Sequence, residues 1–125
     1  MSDTIVGACH CGAVTATIPA EAFGIVACHC GDCQKLHGNF FALLTADRDS
    51  IVWSGEEHVR WYDSSAKARR SFCGQCGSRL AKDPKGSPKL MLSVGLFDKL
   101  LPRRVLKNVF ADAKPAWYEL PAEHP

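Results

Sequence analysis

Seven cysteines in three short clusters constrain this 125-residue chain more than any other feature. The clusters have the spacings CxC (Cys9, Cys11), CxCxxC (Cys28, Cys30, Cys33) and CxxC (Cys73, Cys76). An odd number of cysteines cannot be fully paired within one chain, and such short spacings are typical of metal ligands or redox thiols. The sequence therefore predicts a small fold that is organised around metal-bound sulfur.

The expected compartment agrees with this interpretation. The first four residues contain no basic segment, and no apolar stretch of a secretory signal follows them. No run approaches the roughly 18 apolar residues of a membrane-spanning helix. We therefore expect a cytoplasmic protein with no membrane partner, whose thiols stay reduced and available to metal.

The composition is that of one globular domain, which we expect to span residues 1–125. Hydrophobic residues make up 46% of the chain and charged residues 22%, which is enough apolar material for a core. The net charge is only +2, with 15 basic and 13 acidic side chains. A zinc ribbon that binds nucleic acid is therefore disfavoured. The oligomeric state is not determined by the sequence.

Basic residues are concentrated in two stretches of the chain. The first contains Lys67, Arg69, Arg70, Arg79 and Lys82, and the second contains Arg103, Arg104 and Lys107. The simpler interpretation is that they cover solvated faces of strands and loops. The functional interpretation is a cationic rim that attracts a small substrate carrying carboxylates.

The hydrophobic pattern predicts a mainly β fold. Strand-length segments alternate or carry β-branched and aromatic residues, and polar turn clusters separate them. Strands are expected within residues 4–19 (a hairpin), 23–27, 40–45, 51–53, 57–62, 71–73, 78–81, 90–96, 104–110 and 117–120. A helical turn is expected over residues 34–37, ending at Gly38.

The first and last cysteine clusters share one design, in which two thiols are followed directly by a glycine, Gly12 or Gly77. Glycine accepts positive φ, which turns backbone amides towards the sulfurs. Two such loops supply a closed tetrahedral zinc site, and binding there contributes on the order of 10 kcal/mol to folding. The predicted ligands of this structural zinc are Cys9, Cys11, Cys73 and Cys76. The alternative is four buried free cysteines.

The middle cluster supplies only three thiols, from Cys28, Cys30 and Cys33. A tetrahedral metal held by them keeps one position for water, a substrate or another side chain, as reactive zinc sites do. One alternative is that His37, four residues after Cys33, closes the site as a Cys₃His centre. Another is a redox loop without metal, because Cys30 and Cys33 form a CxxC pair.

The remaining histidines offer weaker signals. His10 and His29 each lie between two cysteines, where alternation of an extended backbone turns them away from the metal. We expect both to be packing or supporting groups, and Asp32 to stabilise the turn. His58 and His124 are expected at the surface.

The cysteine clusters resemble those of the glutathione-dependent formaldehyde-activating enzymes, a family that also includes centromere protein V. The resemblance runs through GACHCGAV at 7–14, CHCGDC at 28–33, FCGQCGSRL at 72–80, SVGLFD at 93–98 and PAWY at 115–118. It covers nearly the whole chain, and the three cysteine blocks in this order are its most specific part.

The resemblance implies a β-tent fold, in which two antiparallel sheets surround the structural zinc. It also implies that the CxCxxC loop holds a second, catalytic zinc, so that two ions bind per chain. The family's reaction joins glutathione and formaldehyde to give S-hydroxymethylglutathione, and in reverse it is a carbon–sulfur lyase reaction. A zinc-bound thiol that adds to an aldehyde is therefore the leading functional hypothesis. The rival hypothesis is a non-catalytic zinc-binding interaction or thiol-sensing module.

Overall fold

The computed structural model describes residues 3–21, 24–97 and 105–121, and it confirms a mainly β fold. The ten strands of the described residues are β1 (Thr4–Ala8), β2 (Thr15–Pro19), β3 (Ile25–Cys28), β4 (Phe41–Asp47), β5 (Val52–Ser54), β6 (Val59–Ser65), β7 (Ala68–Cys73), β8 (Arg79–Pro84), β9 (Lys89–Ser93) and β10 (Val105–Val109). Helix α1 spans Gly31–His37. Single 3₁₀ turns lie at Arg48–Ser50, Glu56–His58, Val94–Leu96 and Ala111–Ala113.

The strands form two sheets, as expected. The small sheet has the order β1-β2-β5, and the large sheet has the order β10-β3-β4-β9-β8-β7-β6. Neighbouring strands are antiparallel except for β10, which runs parallel to β3. This parallel pair brings the C-terminal part of the chain beside the loop that carries the middle cysteine cluster.

The large sheet separates two buried clusters. The main core joins both sheets: it contains Ile18 of β2 and Leu44 of β4, together with Cys9 and Cys73. Phe41 belongs instead to a smaller cluster, which also contains Cys28 and Cys33. Since successive side chains of a strand point to opposite faces, β4 contributes to both clusters at once. The middle cysteine cluster is therefore on the other face of the sheet from the main core.

The predicted strand over residues 90–96 is confirmed for residues 90–93 and wrong beyond them, and the predicted strand over residues 117–120 is wrong. Residues 94–96 form a 3₁₀ turn, because Leu96 and Phe97 are both buried in the main core, which strand alternation would not allow. Residues 117–120 form no strand; the ring of Tyr118 stacks on Phe40, with 5.8 Å between the centroids. Residues 23, 104 and 124 and the basic pair Arg103 and Arg104 lie outside the described residues. No helix among the described residues is long and apolar enough to cross a bilayer.

Gly55 fixes the approach of β5 to the first cysteine loop. Its φ is +82°, and an added Cβ atom would lie 1.8 Å from the carbonyl oxygen of Ala13. Only glycine therefore fits between β5 and the residues that follow Cys11.

We expect Gly55→Ala to destabilise the protein by about 1–3 kcal/mol more than Gly86→Ala, because it adds an overpacking cost to the same backbone strain. Gly86 is a matched control, since its φ is +83° and nothing lies within 4 Å of its added Cβ. Urea unfolding of both variants measures the difference. Equal losses of stability in the two variants would contradict the close contact of Gly55 with Ala13.

Asp83 of β8 is a buried carboxylate that links β8 to β7 and to the 3₁₀ turn at Arg48–Ser50. It accepts hydrogen bonds from Arg48 Nη2 at 2.7 Å and from Arg69 Nε at 3.0 Å. The guanidinium of Arg69 also lies 3.9 Å above the ring of Trp61. The hydrogen bond from Arg48, and then the one from Arg69, lower the pKa of Asp83 below its ordinary value.

We expect Asp83→Asn to cost about 1–3 kcal/mol at pH 7, since charge-assisted hydrogen bonds are lost. A lowered pKa gives stability that is complete above the ordinary aspartate pKa of about 4 and is lost as the pH falls through the folded value. The difference between the variant and the native protein should therefore shrink below pH of about 4. Asp63→Asn is the control, because Asp63 is 74% exposed and lies 3.6 Å from Lys85. A loss at pH 7 no larger than that of the control would contradict this role.

Candidate metal centres

The first candidate centre joins two loops that are far apart in sequence. The sulfur atoms of Cys9, Cys11, Cys73 and Cys76 all lie within 4.8 Å of one another. The Sγ of Cys11 is 3.7 Å from that of Cys9 and 3.8 Å from that of Cys73. A tetrahedron with zinc–sulfur bonds of about 2.3 Å has edges of about 3.8 Å. Both distances from Cys11 match this edge, so the group of four could hold a tetrahedral zinc.

The loop backbone directs N–H groups at these sulfurs. Val14 N lies 3.3 Å from Cys9 Sγ, and Gln75 N lies 3.4 Å from Cys73 Sγ. The turns are completed by Gly12 and Gly77, with φ near +80° in both. The chemistry of the donor set therefore suits thiolates, and the two loops have the same construction, as the sequence predicted.

Two sulfurs of this group are stabilised as thiolates. The hydroxyl of Ser78, 3.2 Å from Cys76 Sγ, and then the Ser78 amide lower the pKa of Cys76 to about 5. The backbone amide of Ala13, and then the side-chain amide of Gln75, lower the pKa of Cys11. Ser78 Oγ also accepts a hydrogen bond from His10 N at 2.9 Å, which ties the two loops together.

The second candidate centre is formed by the middle cluster. The sulfurs of Cys28, Cys30 and Cys33 lie within 4.8 Å of one another, where β3 ends and α1 begins. Cys28 and Cys33 are buried, and Cys30 is partly buried. The hydrogen bond from Cys33, and then the one from the Cys30 amide, lower the pKa of Cys28 to about 7. This cluster could hold a metal with three sulfur ligands.

His37 lies beside the three sulfurs without joining them. Its ring nitrogens are not among the ligand atoms that lie within 4.8 Å of one another, so the geometry does not favour the Cys₃His alternative. The ring stacks on Phe41 at a centroid distance of 4.2 Å, and Nε2 lies 3.5 Å from Arg70 Nη1. Burial, and then the charges of Arg70 and Arg79, lower the pKa of His37 to about 4. The ring is therefore neutral at physiological pH.

The two histidines inside the cysteine clusters are not part of either sulfur group. His10 is exposed, whereas His29 is fully buried and its Nε2 lies 2.8 Å from Asn108 Oδ1. This bond connects β10 to the middle loop. Asp32 is exposed in the first turn of α1, and His58 lies 3.7 Å from the carboxylate of Glu57.

The structure separates the basic cluster that the sequence suggested. Lys67 is exposed, and Arg69 pairs with Asp83 on one face of the large sheet. Arg70 is on the other face, buried, with Nη1 and Nη2 at 3.5 and 3.6 Å from Cys33 Sγ. The sequence did not place Arg70 at this site, although strand alternation puts it on the face opposite to Arg69 and Cys73.

A cavity of about 580 Å³ is lined by Cys9 of the first sulfur group and by residues next to the second group, whereas Cys28, Cys30 and Cys33 themselves do not line it. Its walls include His10 of the first loop, Arg79 of β8, and His37, Phe40 and Phe41 next to the second group. Its volume is within the range of small-molecule sites. Since Phe41 packs in the same buried cluster as Cys28 and Cys33, the cavity reaches the surroundings of the three-sulfur group.

Comparison with known proteins decides the family. Residues 4–118 match the family described as "Glutathione-dependent formaldehyde-activating enzyme". The chain belongs to this family. The resemblance carried by the three cysteine blocks is therefore confirmed.

One curated protein and one solved structure show how far the similarity of this family member extends. A Halomonas elongata protein with the name "Putative glutathione-dependent formaldehyde-activating enzyme" is 29% identical over 124 residues, which cover 91% of this chain and 79% of that protein. A crystal structure of a Rhodobacter sphaeroides protein superposes with a TM-score of 0.65 at 24% identity, covering 83% of this chain and 99% of that one. The latter likeness shows that the fold is shared.

Proposed function

We propose that this chain is a zinc-dependent enzyme that joins a small thiol, glutathione or a close analogue, to an aldehyde such as formaldehyde. In reverse, it cleaves the carbon–sulfur bond of an adduct such as S-hydroxymethylglutathione. The observation that carries the proposal is the division of seven sulfurs into a group of four and a group of three, with a cavity whose walls include Cys9 of the first group and Phe41 next to the second. The family to which the chain belongs supports the choice of thiol and aldehyde.

In this proposal the group of four holds a structural zinc. Four thiolates and one Zn²⁺ leave no ligand position for a substrate. The ion would connect the end of β1 with the end of β7, and hence the small sheet with the large one. Its ligands are Cys9, Cys11, Cys73 and Cys76.

The group of three, Cys28, Cys30 and Cys33, would hold the second zinc. A zinc bound there supplies a site where a substrate thiol loses its proton near neutral pH. The sulfur of the substrate then adds to the aldehyde carbon, forming a C–S bond, and the carbonyl oxygen takes up the proton that the thiol released. The three cysteines fix where this sulfur lies relative to the cavity.

Cavity residues supply binding and orientation. Phe40 and Phe41 form an apolar wall that limits the access of water, which strengthens polar interactions inside. Arg79 carries a positive charge on the cavity wall, suited to a substrate carboxylate. We further propose that residues 1–125 act as one domain in the reducing cytoplasm, where the seven thiols remain available to metal.

Metal content gives the first test. We expect two zinc ions per native chain, one ion in Cys30→Ser with the fold kept, and extensive unfolding in Cys76→Ser, because structural zinc binding is largely folding free energy. Elemental analysis and circular dichroism measure the two properties on the same samples. A single zinc in the native protein would rule out the catalytic site.

Turnover gives the second test. We expect the native protein to accelerate exchange between glutathione, formaldehyde and S-hydroxymethylglutathione, measured by proton NMR exchange spectroscopy. Cys30→Ser is the matched control, since it should retain the fold and the structural zinc but lose the acceleration. If two zinc ions bind and exchange is no faster than in buffer, the chain is a non-catalytic zinc-binding or thiol-sensing module.

A further inference from the structure

Arg70 is a buried cation in contact with the three-cysteine group. It is 6% exposed, and both terminal nitrogens lie within 3.6 Å of Cys33 Sγ. Its Nε donates to Ser64 Oγ at 3.3 Å, and Nη1 lies 3.5 Å from His37 Nε2. The guanidinium is therefore held in place on three sides.

Within the part of the chain that the structure describes, Arg70 contacts no carboxylate. The ion pairs formed by residues 3–21, 24–97 and 105–121 do not involve it. Its other two polar contacts, Ser64 and the neutral ring of His37, carry no charge. A buried cation requires a nearby anion, because burial without one is strongly unfavourable. Among its contacts, only the sulfur of Cys33 can become an anion, and it does so when a bound metal replaces its proton.

We propose that Arg70 is the counter-ion and positioning residue of the three-cysteine site, an inference that rests on the proposed binding of zinc there. Three thiolates and one Zn²⁺ sum to a charge of −1, which the guanidinium brings to zero. Binding of a substrate thiolate would then bring the total charge of the site to −1, whereas without Arg70 it would be −2. Arg70 thus makes it possible for a cluster that is already anionic to accept a second anion.

The hydrogen bonds of Arg70 also act on the ligands themselves. N–H groups directed at Cys33 Sγ withdraw electron density from that sulfur and orient it, as outer groups around metal ligands generally do. Arginine only donates hydrogen bonds, so His37 Nε2 accepts and the proton of the neutral ring is on Nδ1. The planar fork of arginine explains why lysine would be a poor replacement.

The neighbouring Arg69 provides a matched control. It is on the same strand, carries the same charge and is also part of a polar network, but it points to the opposite face and pairs with Asp83. A general loss of sheet stability should therefore follow from replacing Arg69 as well as Arg70. An effect on the second metal site should follow from replacing Arg70 alone.

The test measures zinc affinity at both sites of Arg70→Met, Arg70→Gln, Arg70→Lys and Arg69→Met by competition with a chromophoric chelator. For Arg70→Gln and Arg70→Met we expect the weaker of the two sites to lose about 10–100-fold in affinity, with the tighter site unchanged. Arg70→Lys should recover part of the loss, and Arg69→Met should bind both ions as the native protein does. If Arg70→Met does not fold, the glutamine and lysine variants provide the same comparison.

A spectroscopic measurement separates this role from a purely structural one. The cobalt-substituted protein should show a sulfur-to-metal charge-transfer band for the second site that shifts in Arg70→Gln and stays in place in Arg69→Met. Native-like affinity and an unshifted band in Arg70→Gln would overturn the role of Arg70 and leave the proposed function intact. A native protein that binds only one zinc would overturn both.

Discussion

Sulfur atoms from two distant cysteine loops meet where the two sheets join. Cys11 and Cys73, 62 residues apart, bring their Sγ atoms to 3.8 Å, and Cys9 and Cys73 are part of the main core. Four thiolates at such distances would repel one another without a cation between them. If a zinc ion is bound there, it converts this repulsion into the link between the two sheets. The cavity depends on the same link, since residues of both the first loop and β8 form its walls.

The large sheet gives the two sulfur groups different surroundings. Its strands alternate, so β4 contributes Leu44 to the main core and Phe41 to the smaller cluster around Cys28 and Cys33. In β7, Arg69 and Arg70 are likewise divided between the two faces. The group of four thus lies where the sheets meet and contributes Cys9 to the cavity wall, whereas the group of three contacts a buried guanidinium. This difference in environment would allow one chain to combine the proposed closed zinc site with the proposed open one.

Local patterns in the sequence account for much of this arrangement. Cysteine spacing and the following glycines predicted both sulfur groups, and Gly38 ends α1 with a φ of 90°. Long-range packing accounts for the errors. Residues 94–96 leave the strand conformation because Phe97 packs against Gly7, where an added Cβ would lie 2.7 Å from the ring. The burial of Arg70 beside Cys33 depends on how β7 lies next to α1, which no local pattern encodes.

The central claim is that the seven sulfurs hold two ions with different coordination. Anomalous diffraction at the zinc edge, on crystals of the zinc-loaded protein, measures this directly. The account predicts two zinc peaks, one surrounded by four cysteine sulfurs and one by three sulfurs and a ligand that is not part of the chain. An absent second peak, or a second zinc whose fourth ligand is His37 or another side chain, would contradict it.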